Sequence, residues 1–358
     1  MENKKIKVGI THGDYNGVGY EVILKAFEDP QMFELCTPVV YGSQRIAAHY
    51  RKQLDLPQVQ THRAETAADT RDAALNFINV MADDEAISTG QSTEAAGRAA
   101  LAALERATAD LKAGLIDVIV TAPINKENIQ GPDFHFPGHT EYFEASLGEE
   151  GDRALMVMAS DAGLRVALAT IHLPLAKVVE VLTSDLIVKR LEDFNLSLMR
   201  DFGIHKPRIA VLALNPHGGD GGLIGKEESG VIEPAIAEAR NLGIQAFGPY
   251  SADGFFGAGH HTRFDGILAM YHDQGLIPFK TLCGTAGVNF TAGLPFVRTS
   301  PDHGTAYDIA GKGQADAQSM RQAIYMAIDA LRNRASHAEA FARPLKKLYQ
   351  DRRESNNN

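Results

Sequence analysis

Three apolar stretches of this chain stop in the same way: VALATIH at His172, RIAVLALNPH at His217 and GILAMYH at His272. Each reads as a short buried strand, and each histidine is followed by turn-forming or polar residues rather than by more core. In an open parallel sheet, ligands sit in the crevice beyond the carboxyl ends of the strands, which is where these three imidazoles would project. Three neutral imidazoles with vacant positions beside them describe a catalytic divalent-metal site, since a structural zinc site would be closed by a fourth protein ligand. The simpler alternative is that each histidine caps its strand or bonds a backbone group. Imidazoles suit zinc, cobalt or nickel, and a site whose substrate adds oxygen ligands suits magnesium as well. His49, His205, His260 and His261 lack this context and read as solvent or packing residues.

Groups that could hold an anion are sparse but well placed. Lys280 follows His272 on the stretch HDQGLIPFK, and Arg298 lies among turn formers and hydroxyls in AGLPFVRTSPDHGT. With the amide of Asn289, they could hold a phosphate. Asp273, next to His272, and Asp253, in GPYSADGFF, are candidates for orienting a histidine or handling a proton. Lys126 in TAPINK is a further cleft candidate. Two glycine-rich loops invite a phosphate-loop reading without earning it. GGDGGLIGKEE after His217 fits neither G-x-G-x-x-G nor G-x-x-x-x-G-K-[ST]. THGDYNGVGYEVILKA stands where a Rossmann turn would stand but lacks its spacing, and a tight turn explains its glycines equally well.

The elements that must carry these residues alternate in a βαβ rhythm. Strands are expected at 5–11, 38–41, 118–121, 154–159, 165–172, 208–214 and 265–271. Helices are expected at 20–27, 93–113, 175–181, 185–202, 228–241 and 318–335. Among 358 residues, 44% are hydrophobic and 22% charged, enough for a soluble protein of about two domains. The 45 acidic residues outnumber the 35 basic ones. That balance argues against a nucleic acid or an anionic membrane as partner, so any anion must be captured locally. With Cys36 and Cys283 alone there is no disulfide framework, and no signal peptide or long apolar run stands out. The expectation is a cytoplasmic protein.

The segments GHTEYFE, LNPHGGDGG, AMYHDQGL and GLPFVRTSPDHGTAYDIAGKG, in that order, resemble the 4-hydroxythreonine-4-phosphate dehydrogenase family of vitamin B6 biosynthesis, over a stretch from about Ile6 to about Leu331. HGTAYDIAGKGQAD also resembles the cofactor loop of isocitrate and isopropylmalate dehydrogenases. The resemblance implies an α/β fold of two α/β/α lobes with a mostly parallel sheet, like that of the isocitrate and isopropylmalate dehydrogenases. One lobe would take residues 1–131 plus 305–350 and the other 132–304, with 351–358 a disordered tail. It further implies oxidation and decarboxylation of 4-phosphooxy-L-threonine with NAD, NADP being the alternative, and one divalent metal, zinc, magnesium or cobalt. The expected assembly is a homodimer sharing its active site.

By motif, His172, His217 and His272 would be metal ligands, and His139, Thr140, Lys280, Asn289 and Arg298 would contact substrate. His303, Gly304, Thr305 and Asp308 would line the dinucleotide. The chain departs from the family at His12, Tyr15 and Tyr20, where prolines are common, and at Asp14 and Asp220, where glutamate is usual. Those departures bear on the shape of the cleft wall. Three rivals remain at this point: a dehydrogenase of phosphorylated threonate or erythronate with the same machinery, a metal-dependent hydrolase of a phosphorylated acid, and a catalytically idle binding protein for a phosphorylated metabolite.

Overall fold

The computed structural model describes residues 5–342; the tail expected at 351–358 lies outside them. Twelve strands make one sheet: β1 (Ile6–Thr11), β2 (Cys36–Tyr41), β3 (Thr61–Arg63), β4 (Leu75–Ile78), β5 (Val118–Thr121), β6 (Leu155–Ala159), β7 (Arg165–Leu168), β8 (Arg208–Leu212), β9 (Gln245–Tyr250), β10 (Gly266–Ala269), β11 (Val288–Ala292) and β12 (Arg298–Pro301). Their order is β3-β4-β2-β1-β5-β12-β11-β6-β7-β10-β8-β9. From β3 to β12 every pairing is parallel, and so is every pairing from β7 to β9. Between these halves β11 and β6 pair antiparallel with their neighbours, so the two parallel halves run in opposite directions. The fold is mixed α/β with a large, mostly parallel sheet, as the alternation of short apolar runs and longer amphipathic ones requires.

The histidine strands are shorter than their apolar runs. β7 ends at Leu168 and β10 at Ala269, but the ladder frays rather than stops, because Ala169 N and Thr170 N still donate to Ala269 O and Met270 O. The expected helix 228–241 opens as a π-helical turn, Glu228–Ile232, before becoming the α-helix Glu233–Asn241. The last helix runs from Gln318 to Ala342, past the expected 335. Among the described residues no helix is long and apolar enough to cross a membrane.

The first glycine-rich loop is a packing device. A side chain at Gly13 would lie 2.2 Å from Pro123 O, and one at Gly17 would lie 2.6 Å from Thr305 O. These glycines let the loop press against the chain after β5 and after β12. Asp14, fully buried, accepts from Asn128 Nδ2 and Tyr307 OH, both at 2.7 Å, and joins the same three segments. His12 and Tyr20 stack with ring centres 5.5 Å apart, and Tyr20 stacks on Tyr50 at 6.0 Å. The departures at 12, 15 and 20 therefore build a buried aromatic column and do not line the cleft described below.

That column carries a pH liability. Burial pulls the His12 pKa from 6.5 down to about 4, and neither ring nitrogen has a well-formed partner. The unfolded chain takes up this proton near pH 6.5 and the folded chain only near 4, so acid favours unfolding. Stability should fall by about 3 kcal/mol as pH drops through that window. Chemical denaturation from pH 7 to pH 4 should show the loss, and His12→Phe should flatten it. An unchanged slope in that variant would clear His12 of the effect.

Candidate active site

The antiparallel middle of the sheet is the floor of a cleft of about 290 Å³. Strand alternation puts Asn289 and Thr291 of β11 on one face, and the register sets them beside Ser300 and Arg298 of β12 and beside Met158 and Met156 of β6. Loops complete the walls. Lys126 comes from the turn after β5, His172 from beyond β7, and His303 and Gly304 from beyond β12. His272 opens the helix His272–Cys283, whose last turn carries Lys280. His139, Thr140 and Glu141 begin the helix His139–Leu147, whose cap residue Gly138 offers no side chain to its first amides. Those unclaimed N–H groups and the helix dipole favour an anion.

Arg298 is 2% exposed, and its guanidinium donates only to hydroxyls: to Thr121 Oγ1 at 2.7 and 3.2 Å and to Thr291 Oγ1 at 3.1 Å. Among the described residues no carboxylate lies within ion-pair distance of it. Burial pulls its pKa down to about 9, with Glu141 opposing, so the group stays charged at neutral pH. Burial, then the neighbouring Arg298 and Lys126, also hold His139 well below the usual histidine range, so its ring is neutral. Four cleft residues have a buried polar atom with no partner: His139 Nε2, Glu141 Oε2, Asn289 Oδ1 and His303 Nε2. Because buried polar atoms are nearly always satisfied, such a cluster describes a site shaped for a polar ligand. Lys280 meets Asp302 at 2.9 Å, and burial raises the Asp302 pKa.

The rings of His172 and His272 lie 5.9 Å apart. Each has a carboxylate at Nδ1: Asp273 Oδ1 at 2.7 Å from His272, and Glu141 Oε1 at 3.6 Å from His172. A proton on Nδ1 toward the carboxylate leaves Nε2 as a free donor of electrons, the usual arrangement around a metal-ligating histidine. His217 does not join them. Among the described residues no group of three or more His, Cys, Asp or Glu side chains is set to hold a metal. The Ser251 hydroxyl, 2.6 Å from Asp253, is the main cause of the lowered Asp253 pKa. Asp253 and Asp273 border a neighbouring cavity with Asn215 and Pro216.

Of the residues expected at the site, His139, Thr140, His172, His272, Lys280, Asn289, Arg298, His303 and Gly304 therefore line one cleft, together with Lys126. Thr305 and Asp308 do not line it. Thr305 turns its carbonyl to Val18 N, and Asp308 is exposed. Glu141 was not singled out by the sequence, although it is the residue after His139 and Thr140 in GHTE; only the fold brings it to His172.

The model of the family described as pyridoxal phosphate biosynthetic protein PdxA matches residues 34–327. The chain belongs to the PdxA family. A 4-hydroxythreonine-4-phosphate dehydrogenase of Bacteroides thetaiotaomicron is 54% identical over 99% of this chain and 96% of its own length. Another from Prosthecochloris aestuarii is 41% identical over 90% of this chain and 97% of its own length. Among solved structures, the 4-hydroxythreonine-4-phosphate dehydrogenase of Klebsiella pneumoniae superposes with a TM-score of 0.79 at 34% identity, covering 92% of this chain and 99% of that one.

Proposed function

We propose that this chain is an oxidoreductase of the pyridoxal phosphate route. It would oxidise the hydroxyl of 4-phosphooxy-L-threonine with NAD and release carbon dioxide, leaving 3-amino-2-oxopropyl phosphate. The observation that carries the reading is the buried, unpaired Arg298 in a cleft lined by further cations and by unsatisfied polar atoms. Arg298, Asn289 and Lys280 would bind the phosphate, with the open end of the helix His139–Leu147 adding amide donors. Neutral His139 can donate or accept a hydrogen bond without adding charge, and Thr140 adds a hydroxyl. Asp273 faces His272 and Glu141 faces His172 at Nδ1, and Glu141, which lines the cleft, would take a proton from the reacting hydroxyl.

The donor set of one chain fits two of the three histidine positions of a metal site. His172 and His272 are the two imidazoles that one chain supplies, and a second copy of the chain would bring His217. With His172 and His272 holding it, a divalent cation would supply Lewis-acid polarisation of the substrate hydroxyl. The surface beside the two histidines supports a dimer. In the helix Leu175–Val181 only Val178 is buried, while Leu173, Leu175 and Val179 are 44%, 68% and 52% exposed. An apolar strip of this kind beside an incomplete site calls for cover. For the cofactor, a second cavity of about 350 Å³ shares Asp302 and His303 with the cleft and adds Val18, Ala306 and Ile309, apolar walls that suit a nucleotide base.

NADH absorbance with 4-phosphooxy-L-threonine, before and after a chelator and then zinc, cobalt or magnesium, tests the reading. Turnover should vanish with the chelator and return with metal. Phosphate release without NADH would favour the hydrolase, and turnover of phosphorylated threonate alone would move the substrate assignment within the same chemistry.

A further inference from the structure

We infer that Glu228 is a positioning residue that presents His217 to the cation site by holding a left-handed turn in place; the inference rests on the metal reading above. Residues His217 to Gly222 all have positive φ, at 54, 64, 78, 46, 64 and 95°. Two of them, His217 and Asp220, are not glycine. Left-handed backbone crowds the Cβ of an L-residue against the following carbonyl, so single residues adopt it and runs do not unless the surroundings impose it.

Glu228 imposes it from below. It is 3% exposed, and its partners are amides: Oε1 accepts from Leu214 N at 2.9 Å and Asn215 N at 2.7 Å, and Oε2 from Asn215 Nδ2 at 3.0 Å. Asn215 Nδ2 also donates to Glu227 Oε2 at 2.7 Å. The chain leaving β8 is thereby pinned just before His217. On the far side Ile224 N closes onto Gly219 O at 3.1 Å and Leu223 N onto Asp220 O at 3.2 Å. A side chain at Gly219 would lie 2.6 Å from Glu228 Oε2, so turn and carboxylate are in direct contact. Glu228 also opens the π-helical turn Glu228–Ile232, a distortion that recurs at functional sites.

No cation pairs with this buried carboxylate among the described residues. Its hydrogen bonds all go to the approach of one exposed histidine. His172 and His272 have a carboxylate at the ring; His217 is placed through its backbone, as a side chain without packing around it must be if it is to reach another subunit.

Two substitutions loosen the turn by different routes. Glu228→Gln keeps an acceptor for the two backbone amides but turns a donor toward Asn215. Gly218→Val places a β-branched residue at φ 64°, where nothing lies within 4 Å of its Cβ, and so opposes the left-handed backbone without touching Glu228. With dimer mass checked for each, zinc affinity measured by calorimetry should fall roughly 10- to 100-fold in both. In the metal-free protein, amide exchange over residues 213–223 should speed up in both. If zinc affinity and exchange stay within twofold of the parent in both while His217→Ala binds zinc weakly, the inference is wrong and the metal reading stands. If His217→Ala itself binds zinc like the parent, the metal reading falls and takes the inference with it.

Discussion

Arg298→Ala should lower kcat/KM between roughly thirtyfold and several-thousandfold without lowering the melting temperature. Removing one partner of a buried, hydrogen-bonded charge pair costs about 2–5 kcal/mol, and each 1.4 kcal/mol is tenfold. The pair here forms only when substrate binds. In the free protein the guanidinium is stripped of water and held by two threonine hydroxyls, so it is a burden on the fold rather than a support. Alanine gives up three hydrogen bonds but also removes a buried charge that only the more distant Glu141 offsets, so thermal stability should hold or rise while activity collapses. Arg298→Lys should recover little, because a single ammonium cannot reproduce the fork that spans Thr121 and Thr291. Steady-state kinetics and a melting curve on the same preparations decide it. A large drop in melting temperature with substrate affinity intact would make Arg298 a structural residue.

His172→Ala and His217→Ala, each inactive alone, should regain activity when mixed. If the cation site takes His172 and His272 from one chain and His217 from its partner, each single variant has two broken sites per dimer. After subunit exchange, half of the dimers are mixed, and one of their two sites has every histidine intact, so an equimolar mixture should recover about a quarter of parent activity. His172→Ala mixed with His272→Ala should recover nothing, because those two ligands come from the same chain. Recovery in the second mixture, or none in the first, would contradict a site divided in this way. The first mixture should also regain tight zinc binding, which separates a rebuilt site from a rescue of folding.

The legibility of this chain follows its physics. The strands that ended in histidines could be read because each was a short β-rich run bounded by turn formers, and β1, β2, β5, β6, β7, β8 and β10 lie where those runs lie. β3, β4 and β9 went unread, and so did β11 and β12. VNFTA does alternate apolar and polar side chains, but over only five residues, and RTSP shows no alternation, so these last two runs do not stand out from the loops around them. They are nonetheless the floor of the site, which is where local patterning is expected to conflict with function. The helix His139–Leu147, HTEYFEASL, went unread because it is short and its first turn is made of polar groups.

The residue types and their order were enough to point to a chemistry and a family: three histidines after strands, an arginine, a lysine, and motifs long enough to place the chain in its family. Only the tertiary structure decided how they are grouped. It left Arg298 with no carboxylate at ion-pair distance among the described residues, brought Glu141 and Asp273 to the ring nitrogens of His172 and His272, and kept His217 away from both. The reason is that a motif records only which groups the chain carries along its length. Distances across the sheet, and the burial that changes how a charge behaves, are set by strand order and by the antiparallel switch between β12 and β7, and no local stretch of sequence encodes either one.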